Sequence, residues 1–185
     1  MLRSAARTFY STVAGAALAL SLPLAVEAQA TSSANAFIEG IRANWRSQAS
    51  MVTRSAEMMP DSAFSYRPVA TVRTFGEVIA HVAGSQYMIC AAALGEPARA
   101  EDAVEKIAKR KEEVVDAMKK STAYCERAYA QSPVLLAQTT TLFGDKTTKF
   151  AALTLNAVHN GEHYGNLVTY LRMKGMVPPS SQPSR

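Results

Sequence analysis

Apolar residues recur at three- and four-residue steps along four separate segments of this chain, and that period restricts the fold more than any other feature. In the first segment, about 35–58, Phe37, Ile38, Ile41, Trp45, Ala49, Val52 and Ala56 form one helical stripe. Met59-Pro60-Asp61 ends it, because proline disfavours helical geometry in the residue before it. The stretch 62–73 has no regular period and reads as an ordered loop. Thr74-Phe75-Gly76-Glu77 fits a capping box and opens a second helix, which runs to about Ala93. Its inward face carries Val78, His81, Val82, Ser85, Met88 and Ile89, and Gly95-Glu96-Pro97 punctuates its end. A third helix, about 101–130, combines Val104, Ile107, Val114, Met118, Cys125 and Ala128 with the acid-before-base pairs Glu105/Lys109 and Asp116/Lys120. Between 133 and 146, Thr139-Thr140-Thr141-Leu142-Phe143-Gly144-Asp145 reads as a short extended piece and a turn. The fourth helix, about 147–174, closes with Arg172 and Lys174 near its negative pole, Gly175 as a left-handed cap and Pro178-Pro179 beyond. Four long amphipathic segments without a fixed repeat predict an all-α four-helix bundle. Periodicity does not reveal which helices run up and which run down.

Residues 1–30 have the pattern of a secretory signal: Arg3 and Arg7 precede an apolar stretch from Val13 to Val26, and Ala28-Gln29-Ala30 supplies small-x-small cleavage chemistry. The expected organisation is a signal peptide at 1–30, a bundle domain at 31–179 and a loose tail at 180–185, with the protein periplasmic or secreted. After residue 30 no apolar run is expected to span a bilayer, so no stable membrane insertion follows signal cleavage. The 185-residue chain is 48% hydrophobic and 19% charged, which is ordinary for one globular domain. Its net charge of +5 is mild. Basic residues interleave with acidic ones and no aromatic-basic stripe occurs, which argues against a nucleic-acid partner. The charge run from Lys106 to Glu113 has mixed signs and reads as a solvated helix face.

Cys90 and Cys125 are the only cysteines, and an oxidising compartment permits their pairing. Each sits near the end of its helix, so whether they meet depends on helix direction. In a tight antiparallel hairpin they would be offset by about 30 Å, far beyond disulfide reach. Two buried small hydrophobes are the plain alternative.

His159 and His163 stand four residues apart on the fourth helix, which stacks their side chains about 5–6 Å apart at Cβ. Two imidazoles so placed can share one ion. His81, the only other histidine, falls on the inward stripe of its own helix. A lone histidine on an apolar face is usually a core residue with hydrogen-bond partners. Here all three can face a common interior, where bundle metal sites are built. Neutral imidazoles suit a divalent transition metal, zinc or nickel first, then iron, copper or manganese; calcium and magnesium are disfavoured.

The string His159-Asn160-Gly161-Glu162-His163 also matches the H-x-x-E-H pattern of inverted zinc peptidases. Those enzymes need a further acidic ligand downstream, and no Asp or Glu follows Glu162. Glu162 lies about 100° around the helix from His163, so it flanks the pair. Glu162, Tyr164 and Asn160 are weak candidates for helpers in catalysis.

Three blocks give the chain a family resemblance: Tyr66-Arg67-Pro68; Arg73-Thr74-Phe75-Gly76-Glu77 leading to His81-Val82-Ala83-Gly84; and His159-x-x-x-His163-Tyr164-Gly165-Asn166. Together they resemble the DinB/YfiT-like superfamily of metal-dependent enzymes over nearly all of the chain beyond the signal. The resemblance implies a four-helix bundle with a metal on His81, His159 and His163. It also implies a homodimer and a small-molecule substrate. Asn166 stands where glutamine is common in the family. Members with assigned activity are mostly cytosolic transferases or isomerases that use low-molecular-weight thiols, whereas an exported protein would not ordinarily meet that thiol pool.

The leading expectation is therefore an exported metal-dependent enzyme of unassigned reaction. A non-catalytic envelope metal-binding or stress-related protein is the alternative, and a metal-free interaction module is the third.

Overall fold

The computed structural model describes residues 21–183, with side chains from residue 32 onward. The segment read as a signal lies outside the described residues at 1–20, and outside the described side chains up to its end. Helix α1 spans Ser21–Met58, α2 Phe75–Leu94, α3 Ala103–Ile107, α4 Lys111–Tyr129, α5 Pro133–Leu136 and α6 Lys149–Met173. Strands β1 (Thr139–Leu142) and β2 (Asp145–Thr148) form an antiparallel hairpin between α5 and α6. The four long helices α1, α2, α4 and α6 make the bundle, and the class is all-α as expected.

Side-chain partners fix the helix directions. Arg42 and Arg46 pair with Glu126, while Glu57 pairs with Lys119, so α1 and α4 are antiparallel. Gln86 bonds Ser121, and Gln131 bonds the carbonyl of Ala93, so α2 and α4 run parallel. Tyr170 reaches the carbonyl of Arg73 while Asn156 lies against Cys90, so α6 is antiparallel to α2. The order is up, down, down, up. Parallel neighbours cannot be joined by a tight turn, and residues 95–110, with α3 among them, make the long crossover.

This geometry answers the question that the cysteines posed. In parallel neighbours Cys90 and Cys125 come level, their Cα atoms 5.3 Å apart, and they form a disulfide. Both are fully buried, so the staple lies inside the core.

Helix boundaries depart from expectation where the crossover intervenes. The third segment is not one helix, because it breaks at Ala108–Arg110, where Ala108 and Arg110 are extended. Glu113 then accepts from the backbone N–H groups of Lys109 and Arg110, 3.0 Å each, and restarts the chain as α4. The break takes Ile107 off the inward stripe and leaves it 77% exposed. It also redirects Glu105, whose carboxylate meets Arg73 rather than Lys109; the Asp116–Lys120 pair forms as expected. Phe37 at 72% exposure likewise faces solvent, while Trp45, Ala49, Val52 and Ala56 are buried.

The capping box at the start of α2 is present: Glu77 N–H donates to Thr74 Oγ1 at 3.2 Å, and Thr74 N–H to Glu77 Oε2 at 2.7 Å. α2 is apolar on almost every side because α3, α4, α6 and β1 surround it. By length and composition it is long and apolar enough to cross a membrane, which corrects the expectation that no run after residue 30 would be; most of it is buried inside the bundle. The connection before α6 is more ordered than a turn. Its threonines pair in register from Thr139↔Thr148 to Leu142↔Asp145, and Phe143-Gly144, both with positive φ, close the hairpin. The segment expected to be loose is partly tied, since Tyr164 Oη donates to Ser180 Oγ and Arg54 to Gln182 Oε1.

Gly84 marks the point where the crossover touches α2. A Cβ there would lie 2.0 Å from the backbone oxygen of Glu101, so only glycine admits this approach. Gly84→Ala should cost about 1–3 kcal/mol in urea unfolding, because the crossover backbone must move. Gly165→Ala, at an open helical position on α6, should instead stabilise by about 0.5–1 kcal/mol. The disulfide closes a separation of 35 residues, and Cys90→Ala/Cys125→Ala should lose about 2–4 kcal/mol in the same assay.

Candidate metal centre

The sequence delivers one histidine from α2 and two from α6, and the antiparallel packing of those helices brings them level. His163 Nε2 lies 3.0 Å from His159 Nε2, and His159 Nε2 lies 3.3 Å from His81 Nε2. One ligand atom from each ring falls within 4.8 Å of the other two. His81 is 6% exposed, and His159 and His163 are half-buried, so the cluster meets solvent along α6.

Burial dominates the electrostatics. Desolvation pushes the His159 pKa down to about 3, with His163 and His81 adding charge repulsion. Desolvation also lowers His163, next through His81, and lowers His81, next through the Arg73 guanidinium. All three rings are therefore neutral near pH 7, the form that offers a lone pair to a metal. Nε2 of His159 lies 3.0 and 3.3 Å from the Nε2 atoms of His163 and His81, so lone pairs facing each other there repel unless a proton or a cation lies between them. A divalent ion fits that donor set.

The crossover supplies groups that the periodicity did not reveal as site residues. Glu105 Oε2 lies 3.3 Å from His81 Nδ1, and Glu101 Oε1 lies 3.9 Å from His81 Nε2. Ser85 Oγ donates to Glu101 Oε1 at 2.9 Å. Arg73 clamps Glu105 through Nε at 2.8 Å and Nη2 at 3.3 Å. The i,i+4 spacing of Glu101 and Glu105 was the available signal, but nothing in it says which helix the pair will face. On α6, Asn166 Nδ2 sits 3.3 Å from His163 Nδ1; with the amide turned over, its carbonyl oxygen would accept from that nitrogen.

The other candidates supply no ligand to the cluster. Glu162 is exposed on α6 beside His163, where its charge opposes the lowering of that histidine's pKa by burial. Tyr164 is buried, and its hydroxyl donates to Ser180 Oγ at 2.7 Å and accepts from Ser180 N–H at 2.8 Å. Asn160 is fully buried and donates to Gln86 Oε1 at 3.3 Å, where Trp45 Nε1 also donates at 2.7 Å. Two clefts, of about 910 and 740 Å3, are lined by other residues; the larger opens beside the N-termini of α2 and α4 and the smaller between α1 and the C-terminal segment.

Comparison with known proteins places this geometry in a family. The sequence profile of the DinB superfamily matches residues 45–167. Among solved structures, a DinB-like protein from Bacillus cereus superposes with a TM-score of 0.66 at 17% identity, covering 76% of this chain and 95% of that one. A second, the DinB-like protein YjoA from Bacillus subtilis, gives 0.60 at 21% identity, covering 78% of this chain and 99% of its own. These likenesses show a shared fold. No curated protein sequence matches the chain. With the profile spanning most of the bundle, from Trp45 on α1 to Leu167 beyond the last histidine, the chain belongs to the DinB superfamily.

Proposed function

We propose that this protein is an exported metal-dependent enzyme that holds one divalent transition metal, zinc or nickel, on Nε2 of His81, His159 and His163. The convergence of three neutral Nε2 atoms from two helices carries this reading. Bound there, the ion would supply Lewis acidity to a small-molecule substrate, since three protein ligands commonly leave a coordination position open. The chain's own part is to keep the imidazoles neutral by burial and to limit water to the α6 side. The core disulfide supports the export reading, because such a bond persists in an oxidising compartment.

A non-catalytic envelope metal-binding protein is the second reading. It predicts a closed coordination shell with a fourth protein ligand, and the Glu101 carboxylate, 3.9 Å from His81 Nε2, is the group at hand for it. Incubating the metal-loaded protein with a thiol panel and an electrophile separates the two for the thiol-dependent version of the enzyme. Thiol consumption supports the transferase-like enzyme, and none across the panel removes it.

Elemental analysis of untagged protein recovered from its own envelope compartment should find about one transition metal per chain, and His163→Ala should lose at least about nine-tenths of it. Equal, substoichiometric metal in both samples would defeat the proposal. A pH series gives an independent check. Unfolded histidines titrate near 6.5, whereas all three folded histidines are lowered, His159 to about 3. Below about 6.5 the unfolded chain therefore binds more protons than the folded one, and stability falls with pH. Urea unfolding of metal-free protein should be insensitive to these groups above about pH 7.5 and weaken steadily toward pH 3. His159→Gln should flatten that slope.

A further inference from the structure

We propose that Glu105, carried on the crossover helix α3, is a positioning residue of the histidine site: it accepts the Nδ1 proton of His81 and so turns Nε2 of that ring toward the other two histidines. The inference rests on the metal-binding reading and deepens it.

An imidazole can ligate through either nitrogen, and the choice is set by whatever bonds the other one. His81 Nδ1 is buried, and no well-aligned hydrogen-bond partner satisfies it. A buried donor in that position costs free energy until an acceptor reaches it. Glu105 Oε2, 3.3 Å away, is a carboxylate acceptor within reach of a small ring rotation. Its side chain is only 17% exposed and is gripped by Arg73 through two nitrogens. Arg73 is itself held, because its carbonyl accepts from Tyr170 Oη at 2.7 Å. The chain of contacts runs Tyr170, Arg73, Glu105, His81 and ties α6, the α2 entry, α3 and α2 together. Glu101 does not fit the role, since it approaches Nε2 rather than Nδ1, stands 3.9 Å off and is 37% exposed.

The orienting role also explains why the crossover must lie so close to α2. Gly84, less than one turn beyond His81, admits the Glu101 backbone, and Val104 is buried beside it. Both contacts fix where α3 begins, and hence where Glu105 points.

Long-range nitrogen–proton NMR on metal-free protein, with zinc affinity by chelator competition, tests this. In the wild type His81 should be the Nδ1–H tautomer. Glu105→Ala should give a tautomer mixture and about 10- to 100-fold weaker zinc binding. Glu105→Gln, which keeps an acceptor oxygen, should recover most of both. Glu101→Gln, which removes a neighbouring negative charge but not this acceptor, should leave the tautomer unchanged. A wild type that binds zinc, with Glu105→Ala altering neither tautomer nor affinity, would overturn the inference. An Nδ1–H wild type that loses this tautomer in Glu105→Ala but binds no metal would overturn the metal reading, while the orienting contact itself would stand.

Discussion

The parallel packing of α2 against α4 is the constraint on which the other features depend. Two helices that follow each other in the chain and run the same way need a connection about as long as a helix, and residues 95–110 supply it. That connection crosses the face of α2 at Gly84, where the absence of a side chain lets the Glu101 backbone approach. The same parallel register levels Cys90 with Cys125, so a covalent staple and a backbone crossing hold one helix pair. An antiparallel pair would have separated the cysteines and left no reason for α3.

The bundle interior is more polar than its apolar stripes suggest. Gln86 sits at its centre, accepting from Trp45 and Asn160 and donating to Ser121. Asn156 donates to the hydroxyl of Tyr129, which in turn donates to the carbonyl of Leu153. These networks are satisfied at Gln86 and Tyr129 but leave the Oδ1 atoms of Asn156 and Asn160 without a partner, and they specify one packing because any slip of a helix would strand further buried groups. Trp45 stacked on Tyr129 at 4.2 Å adds apolar area to the same layer. The histidines therefore stand on a floor whose geometry is fixed from all four long helices.

Above that floor, charge is arranged by depth. The rings are neutral because burial and mutual repulsion disfavour protonation. Carboxylates approach from the crossover, and Arg73 stands behind one of them. A divalent ion brought into this pocket would meet three uncharged donors and a nearby negative edge, an environment that favours the ion over protons.

What the sequence determined by itself was local. Periodicity, the Thr74/Glu77 box, Gly175 and the four-residue step between His159 and His163 fixed four long helices, two of their ends and half of the site, because each signal depends on neighbours within one or two turns. The break at Ala108–Arg110, the exposure of Ile107 and the pairing of Glu105 with Arg73 were decided by tertiary structure. In each case a residue 30 or more positions away, or a crossover with its own path, outweighed the helical period. Helix direction belongs to the same class, since a stripe of apolar residues looks alike read upward or downward. Only packing could therefore settle whether the cysteines meet, that His81 joins the other two histidines, and which carboxylate stands behind it.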